Sequence, residues 1–444
     1  MSLPKITADY LESKNMGYSI CAHMTGTTSA RAILLKHPKG KVLAVIPEGS
    51  FLDLSRLEEI TESKLEPLSV PEKEATHRNI ECTSLPALPV FPAITTVVDE
   101  QLLQHDRVNV SSGDPDIAVQ IGGEDFARLW PKAHNADISA QILNEEIPDE
   151  SLERGEIDRS ISNFTSYRIR QRLSDTVSIP PLSNTVEQII LLRAEPSNTL
   201  AELSAIVEED PSLAAQITRW ANSPYFGTGI QVRSVKDAVI RVLGADLVIN
   251  LALGLSLGKS LDIDRASIDI GTYWVQSIMC ATAMEILVGT MPAEQRPSAA
   301  TAYLVGLFHN FGRLILAHVF PPHSVLVNRY LEANAGTHHH SIEKHLLGVT
   351  REQINAWLMR DWDLPDDLCD ALRHVHTGKG NVYAQLCFAT CHLLHEQGMC
   401  ERPMLSLNSQ ILDDLGLSLE DARLVAERIA GASDEYVQLA EIFG

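Results

Sequence analysis

Two sets of side chains in the C-terminal half of the sequence are of the types that bind transition metals. Three consecutive histidines, His338 to His340, precede His345, and Cys387, Cys391 and His395 recur at four-residue spacing. Imidazole and thiolate groups are ligands for zinc or nickel. Adjacent histidines in a loop point in different directions, however, and the cysteines have no evident fourth ligand. We therefore expect no metal here and interpret the cysteines as core residues.

The segments that must position these groups carry helix signals. From about residue 179 onward, Asp210 stands directly before Pro211, and Ser234 is followed three residues later by Asp237. These pairs are typical of helix N-termini, and the apolar stripes that follow them fit helices with one buried face. Short helices of this kind predict a compact all-α domain.

The first 130 residues show a different pattern. Aliphatic stretches at 32–35 and 42–46 flank one turn, and stretches at 108–110 and 117–121 flank another. Both arrangements are typical of β-hairpins, and 124–130 has the pattern of a short helix. This mixture predicts an α+β domain.

An acidic stretch separates the two halves. Residues 145–158 hold seven carboxylates and one arginine, together with a proline and a glycine. Such a composition favours a solvated linker over a buried core. We therefore expect a domain boundary near residues 135–175.

Composition and charge exclude several classes of protein. The 444 residues are 45% hydrophobic and 21% charged, which argues against a disordered chain. The formal charge of -22 repels nucleic acid and anionic membranes. Seven cysteines without a CxxC pair, and the lack of a signal-peptide pattern, predict a cytoplasmic location. The longest apolar run, 247–258, is too short to span a bilayer.

Several short motifs in the helical half follow one another at compatible spacing. They lie at residues 179–182, 206–213, 221–227, 234–244, 250–253 and 362–365. Together they resemble the HDOD domain of bacterial signalling proteins, over about residues 173 to 380. The resemblance implies a helical relative of the HD metal-dependent phosphohydrolases that acts as a regulatory or interaction module.

The resemblance also implies what has happened to the metal ligands. Active HD phosphohydrolases hold divalent metals with histidines, a His-Asp doublet and a final Asp, and the metal activates water. The corresponding positions here hold Gln276, His309-Asn310, Arg351, His376 and Thr390. Asn310 is neutral and Arg351 brings a fixed positive charge, so neither metal binding nor catalysis is expected.

Two interpretations of these positions stay open. His309 and Asn310 fit a buried polar pair that neighbouring groups satisfy, which is the simpler interpretation. In the other, five side chains line a polar cleft for an anionic ligand, with Arg351 as the fork that binds phosphate or carboxylate. The five are Gln276, His309, Asn310, Arg351 and His376.

A second resemblance rests on four stretches in the first half, at residues 31–47, 52–54, 99–102 and 126–129. They resemble the YbaK/proline-tRNA-editing family of aminoacyl-tRNA deacylases. The resemblance implies that Arg31 takes the place of a lysine that binds the aminoacyl ester, with Lys36 further along the same strand. Arginine cannot readily lose its proton as lysine can, and residues 82–89 lack the glycines of the ester-binding loop. Editing activity is therefore not expected.

We predict a YbaK-like α+β domain at 1–135, an acidic linker at 136–172, an HDOD helical domain at 173–380 and a helical extension at 381–444 that packs on it. The predicted function is bacterial signal transduction through protein partners or an anionic small ligand, with no catalytic residue, metal or cofactor. The alternatives are an HD-type phosphohydrolase with an altered site and an aminoacyl-tRNA deacylase with a regulatory HDOD tail. Nucleic acid and membrane partners are not expected, and a homodimer is left open.

Overall fold

The chain divides into two compact units, one of residues 1–146 and 326–346 and the other of residues 147–325 and 347–444. The structure, a computed structural model, describes residues 3–14, 16–22, 28–91, 94–142, 184–194, 200–223, 226, 231–259, 261, 268–401 and 403–441. The predicted fold class is confirmed, because a mixed sheet with helices is followed by a helical region. Residues 326–346, which the sequence analysis assigned to the helical domain, belong to the first unit. The predicted linker lies outside the described residues from position 143 onward, as does the motif at 179–182.

The first unit is built on a sheet of mixed direction. The strands are β1 Tyr18–Ala22, β2 Ser29–His37, β3 Gly40–Pro47, β4 Ser50–Leu52, β5 Glu66–Pro67, β6 Thr95–Asp99, β7 Arg107–Asp114, β8 Ile117–Gly122, β9 His134–Ala136 and β10 Ser139–Gln141. They run in the order β1-β8-β7-β2-β3-β6-β9, with β5 beside β2, and β4 pairs separately with β10. The pairs β2–β3 and β7–β8 are the two predicted hairpins, while β2–β7, β3–β6 and β6–β9 are parallel.

Short helices cover this sheet. They are α1 Lys5–Lys14, α2 Leu54–Thr61, α3 Val70–Ile80 and α4 Gly123–Leu129, with a 3-10 turn at Glu100–Gln104. Aliphatic side chains of β3, β7 and β8 pack with Phe126 of α4 in one buried cluster. The predicted helix at 124–130 is thereby confirmed, because its apolar side closes the core over the second hairpin.

The rest of the described chain is helical. Asp210 and Ser234 cap their helices as predicted, each accepting hydrogen bonds from backbone N–H groups of the first turn. The helices are α5 Asn184–Ala194, α6 Leu200–Glu209, α7 Pro211–Ala221, α8 Val235–Ala238 with a π-helical turn Val239–Leu243, α9 Ala245–Lys259, α10 Ile270–Thr290, α11 Ala299–Phe308, α12 Phe311–Val319, α13 Pro321–Ala333, α14 His339–Leu347, α15 Arg351–Asp361, α16 Asp366–His374, α17 Val382–Glu396, α18 Ser409–Asp414, α19 Leu419–Gly431 and α20 Ser433–Ala440.

Helix α10 is the central element of the second unit. It is apolar on nearly every side, and α11, α17, α19 and α20 all pack against it. The crossing with α11 is tight at Gly306, where an added Cβ would lie 2.5 Å from Cα of Ala281 and 3.0 Å from the carbonyl carbon of Cys280. Only glycine permits the two backbones to approach this closely.

A second close approach joins α12 to α15. A Cβ at Gly312 would overlap the carbonyl oxygen of Arg351. Glycine at this position therefore lets the first turn of α12 lie against the start of α15. Because Asn310 precedes α12 directly, this approach also brings Asn310 towards Arg351.

Of the three consecutive histidines, only His338 lies outside a helix, so the expectation of a loop was wrong for the other two. His339 and His340 are the first residues of α14, and both are buried. The Nδ1 atom of His338 accepts a hydrogen bond of 3.2 Å from the backbone N–H of His340. The first turn of a helix leaves its backbone N–H groups without intrahelical acceptors, and the imidazole of His338 accepts from one of them. This hydrogen bond stabilises the start of the helix.

No helix in the described ranges is both long enough and apolar enough to cross a membrane. The apolar run at 247–258 belongs to α9. The cytoplasmic location stays a prediction.

Replacing Gly306 with alanine is expected to lower the free energy of unfolding by about 1–3 kcal/mol, because the added methyl group would push α10 and α11 apart. Urea denaturation of the full-length protein measures the change. The matched control is Gly289→Ala on the partner helix α10, where an added Cβ meets nothing within 4 Å. That variant should be neutral or slightly stabilised, since alanine favours helix. Equal stability of the two variants would contradict the tight crossing.

Candidate functional site

A buried arginine lies next to the His309-Asn310 doublet. The side chain of Arg351 is 3% exposed, and its Nη1 donates to Oδ1 of Asn310 at 3.3 Å. The same Nη1 lies 3.4 Å from Oε2 of Glu401. Arg313 donates from Nη1 to Oε1 of Glu401 at 2.9 Å. One carboxylate therefore bridges two guanidinium groups at this site.

The ring of His309 is held in one orientation. Its Nδ1 lies 2.7 Å from the carbonyl oxygen of Gly306, so this nitrogen carries the proton and donates it. Burial lowers the pKa of His309, while the hydrogen bond to Gly306 and the charge of Glu401 act in the opposite direction. The ring is therefore neutral near pH 7, and Nε2 keeps its lone pair.

The remaining predicted pocket residues of this unit are His376, in the turn after α16, and Gln276, on α10. Nε2 of His376 is 3.5 Å from Oε1 of Glu352, and both residues are buried. Gln276 is half-buried on α10, one turn before Cys280. The structure thus joins Asn310 directly to Arg351, while His376 faces a carboxylate of its own.

Arg31 and Lys36 belong to the first unit and do not form one site. They are five residues apart on β2, so their side chains leave opposite faces of the sheet. Arg31 donates to the carbonyl oxygens of Ser50 at 3.0 Å and Ala335 at 3.5 Å, and burial lowers its pKa. Lys36 donates to both carboxylate oxygens of Glu72, at 3.0 and 2.9 Å.

Asp53 is the centre of a polar network that sequence reasoning missed. Its Oδ1 caps α2 by accepting from the N–H of Ser55 at 3.0 Å, and it also accepts from the Tyr330 hydroxyl at 2.8 Å. Its Oδ2 lies 3.0 Å from Nε2 of His345. Burial by itself raises the pKa of Asp53, but hydrogen bonds from His345, Tyr330 and the N–H of Arg56 outweigh it and bring the pKa to about 2.

The neighbouring contacts bind residues 326–346 to the sheet domain. The amide of Asn334 accepts from the N–H of Leu52 at 2.6 Å and donates to its carbonyl oxygen at 3.1 Å, as a neighbouring strand would. Arg329 pairs with Glu58 and donates to the carbonyl oxygen of Leu65 at 3.0 Å. These partners are more than 260 residues apart, so spacing in the sequence gave no signal of them.

The predicted burial of Cys387 and Cys391 is confirmed, with exposures of 0% and 2%. His395 does not join them, because its Nδ1 lies 3.0 Å from the carbonyl oxygen of Cys400. Two residues that the sequence did not associate with the pair come close to it instead. Cys280 of α10 and His309 each place a ligand atom within 4.8 Å of Sγ of Cys391.

The low pKa of Asp53 makes the stability of the protein depend on pH. The pKa is about 2 in the folded protein against 3.8 ordinarily. Because folding lowers it, the stabilisation is present above about pH 4 and is lost as the pH falls through about 2. The difference amounts to about 2 kcal/mol. Urea denaturation of the full-length protein at a series of acidic pH values should show this loss.

Asp53→Asn should lack this acid-sensitive component. The matched control is Asp137→Asn, since Asp137 also pairs with Arg56, at 2.7 Å, but its side chain is 59% exposed. That variant should keep the pH dependence of the wild type. The same slope in all three proteins would show that Asp53 is not the group responsible.

Comparison with known proteins gives two domain matches. The model described as the HDOD domain matches residues 179–378. The model described as the aminoacyl-tRNA editing domain matches residues 21–129. The two matches cover the helical region and the sheet domain respectively, in the predicted order.

Similar proteins extend these matches. A protein of Marinobacter aquaeolei VT8 that is named as a signal transduction protein has a crystal structure similar to this chain, with a TM-score of 0.87. Its sequence is 35% identical to this chain, and the match covers 100% of both chains. A protein of Shewanella amazonensis SB2B named as a phosphohydrolase is 18% identical, with 64% of this chain and 98% of that chain covered and a TM-score of 0.50. That likeness shows the fold alone. An uncharacterized protein of Treponema pallidum (strain Nichols) is 23% identical over 51% of this chain, and the match spans 44% of that protein.

Proposed function

Since the chain belongs to the HDOD-domain proteins and carries an aminoacyl-tRNA editing domain in its first half, we propose that it is a regulatory protein that acts by binding and not by catalysis. The full-length similarity to a protein named for signal transduction supports a regulatory role. In this proposal the HDOD part binds a protein partner in the cytoplasm of a bacterium, and neither domain turns over a substrate.

The observation that carries the proposal is the charge beside His309. The resemblance to HD enzymes aligns Arg351 with a metal ligand, and its guanidinium lies buried against Asn310. A buried positive charge repels a divalent cation, and an amide oxygen is a weaker ligand than a carboxylate. Without a cation in this place, water is not activated and the charge on a phosphoryl oxygen is not neutralised.

The sheet domain supports the same proposal. Arg31, which the resemblance aligns with the family's lysine, donates hydrogen bonds to two backbone carbonyl groups. Lys36 is paired with Glu72. Arg31 and Lys36 cannot bind one aminoacyl ester together, because their side chains leave opposite faces of β2. The acidic composition also disfavours a tRNA-binding face.

The full-length protein with added Mn²⁺ is expected to hydrolyse bis-p-nitrophenyl phosphate no faster than the same buffer without protein, because the hard-cation ligands are replaced. The release of nitrophenolate measures the rate, and an active HD phosphohydrolase serves as the positive control. Asn310→Ala and His376→Ala should not change the result. Manganese-dependent turnover that both variants abolish would overturn the proposal and restore the phosphohydrolase alternative.

One observation favours an anionic small ligand as a second kind of partner. Glu401 is held by Arg351 and Arg313, yet its side chain is 34% exposed. An internal carboxylate thus occupies the place that a phosphate or carboxylate ligand would take between the two guanidinium groups. Such a ligand would have to displace Glu401.

Glu401→Gln is expected to make thermal unfolding of the full-length protein respond several-fold more strongly to inorganic phosphate at constant ionic strength, because the competing carboxylate is gone. The substitution itself should lower the free energy of unfolding by about 1–3 kcal/mol. Adding Arg351→Ala should abolish the phosphate response. The matched control is Glu396→Gln, which removes a surface carboxylate paired with Arg423. If all variants respond as the wild type does, an anionic ligand at this site is excluded.

A further inference from the structure

Three buried side chains from separate parts of the second unit meet in the arrangement of metal ligands. Cys280, His309 and Cys391 come from α10, the end of α11 and α17, and their ligand atoms all lie within 4.8 Å of one another. The two Sγ atoms are 4.0 Å apart. Zinc–sulfur bonds of about 2.3 Å in a tetrahedral site place two sulfurs about 3.8 Å apart. The observed separation therefore needs almost no rearrangement.

A third cysteine lies beside these three residues. Its Sγ is outside the set of ligand atoms that lie within 4.8 Å of one another, so its thiol would have to turn towards them to bind the same ion. Cys387 lies one helical turn before Cys391 on α17 and is fully buried. Its thiol interacts with the thiols of both Cys280 and Cys391. Three cysteines and one histidine form a complete ligand set for structural zinc.

The orientation of His309 provides independent support. In metal sites, a coordinating histidine almost always donates its other ring N–H to a carbonyl or carboxylate, which fixes the tautomer. Here the Nδ1–H of His309 donates to the carbonyl oxygen of Gly306 at 2.7 Å. This hydrogen bond leaves Nε2 as the ring nitrogen that can bind the metal. The tight crossing at Gly306 sets both this bond and the position of Cys280.

We propose that Cys280, His309, Cys387 and Cys391 bind one zinc ion. The site differs from the hard-cation site of HD enzymes, because its ligands are sulfur and imidazole and contain no carboxylate. The sequence predicted no metal and no cofactor in this protein, and the zinc site proposed here departs from that prediction. Tertiary structure supplies Cys280 and His309, which spacing in the sequence could not.

Zinc binding here converts three thiols to thiolates and releases three protons to solvent, with no change in oxidation state. Hydrogen bonding within the thiol cluster, together with burial, raises the pKa of Cys280 and Cys391, so both thiols are protonated near pH 7 without a metal. The bound ion would tie α17 of the C-terminal extension to α10 and to the end of α11. It would thereby fix the segment that holds Asn310.

Elemental mass spectrometry on the untagged full-length protein, purified under reducing conditions from a zinc-supplemented culture, tests the site. We expect about one zinc per chain. Cys391→Ser should lower the zinc content at least tenfold. The matched control is Cys369→Ser, which alters another fully buried cysteine whose Sγ instead contacts the carbonyl oxygen of Leu364 at 3.6 Å. That variant should keep its zinc.

A second measurement uses the wild-type protein and does not depend on the folding of a variant. After the zinc is exchanged for Co²⁺, the absorption spectrum should show thiolate-to-cobalt bands and the intense visible bands of a tetrahedral ion. Zinc-free wild-type protein, a cobalt spectrum without thiolate bands, or full zinc retention in Cys391→Ser would each overturn the proposal. None of these outcomes decides the proposed function, because the phosphoester assay with added Mn²⁺ tests separately whether the protein acts without catalysis.

Discussion

The second unit depends on the close crossing of α10 and α11 at Gly306. The absence of a side chain there lets two apolar helices pack almost backbone to backbone, next to Ala281. The carbonyl oxygen of the same glycine accepts the hydrogen bond that orients His309. Gly306 therefore sets both the distance between the two helices and the orientation of the His309 ring. A change in the crossing would move His309 with respect to Cys280 and Cys391.

The buried guanidinium of Arg351 determines the arrangement of charges beside this crossing. Arg351 is excluded from water, and a group of this kind requires compensating oxygen atoms. Asn310 and Glu401 supply them, and Arg313 shares the carboxylate. The site therefore has an internal arrangement of opposite charges, in which one carboxylate lies between two guanidinium groups.

The first unit depends in the same way on one buried carboxylate. Asp53 begins α2 and at the same time binds Tyr330 and His345, so a helix cap and a tertiary contact share one group. Asn334 extends the connection by pairing with the backbone of Leu52. Because of these bonds, residues 326–346, which lie inside the HDOD match, fold as part of the sheet domain's own unit. A sequence-based division of the chain cannot show such an arrangement.

The sequence by itself determined the fold class, the hairpins and the helix caps at Asp210 and Ser234, because each depends on residues a few positions apart. Its motifs also indicated both domain families. Only the tertiary structure decided which side chains meet. The partners of Asp53 lie 277 and 292 residues away, and Cys280 meets Cys391 across 111 residues. Contacts over such distances depend on how helices cross and which faces they bury, and local spacing carries no information about either.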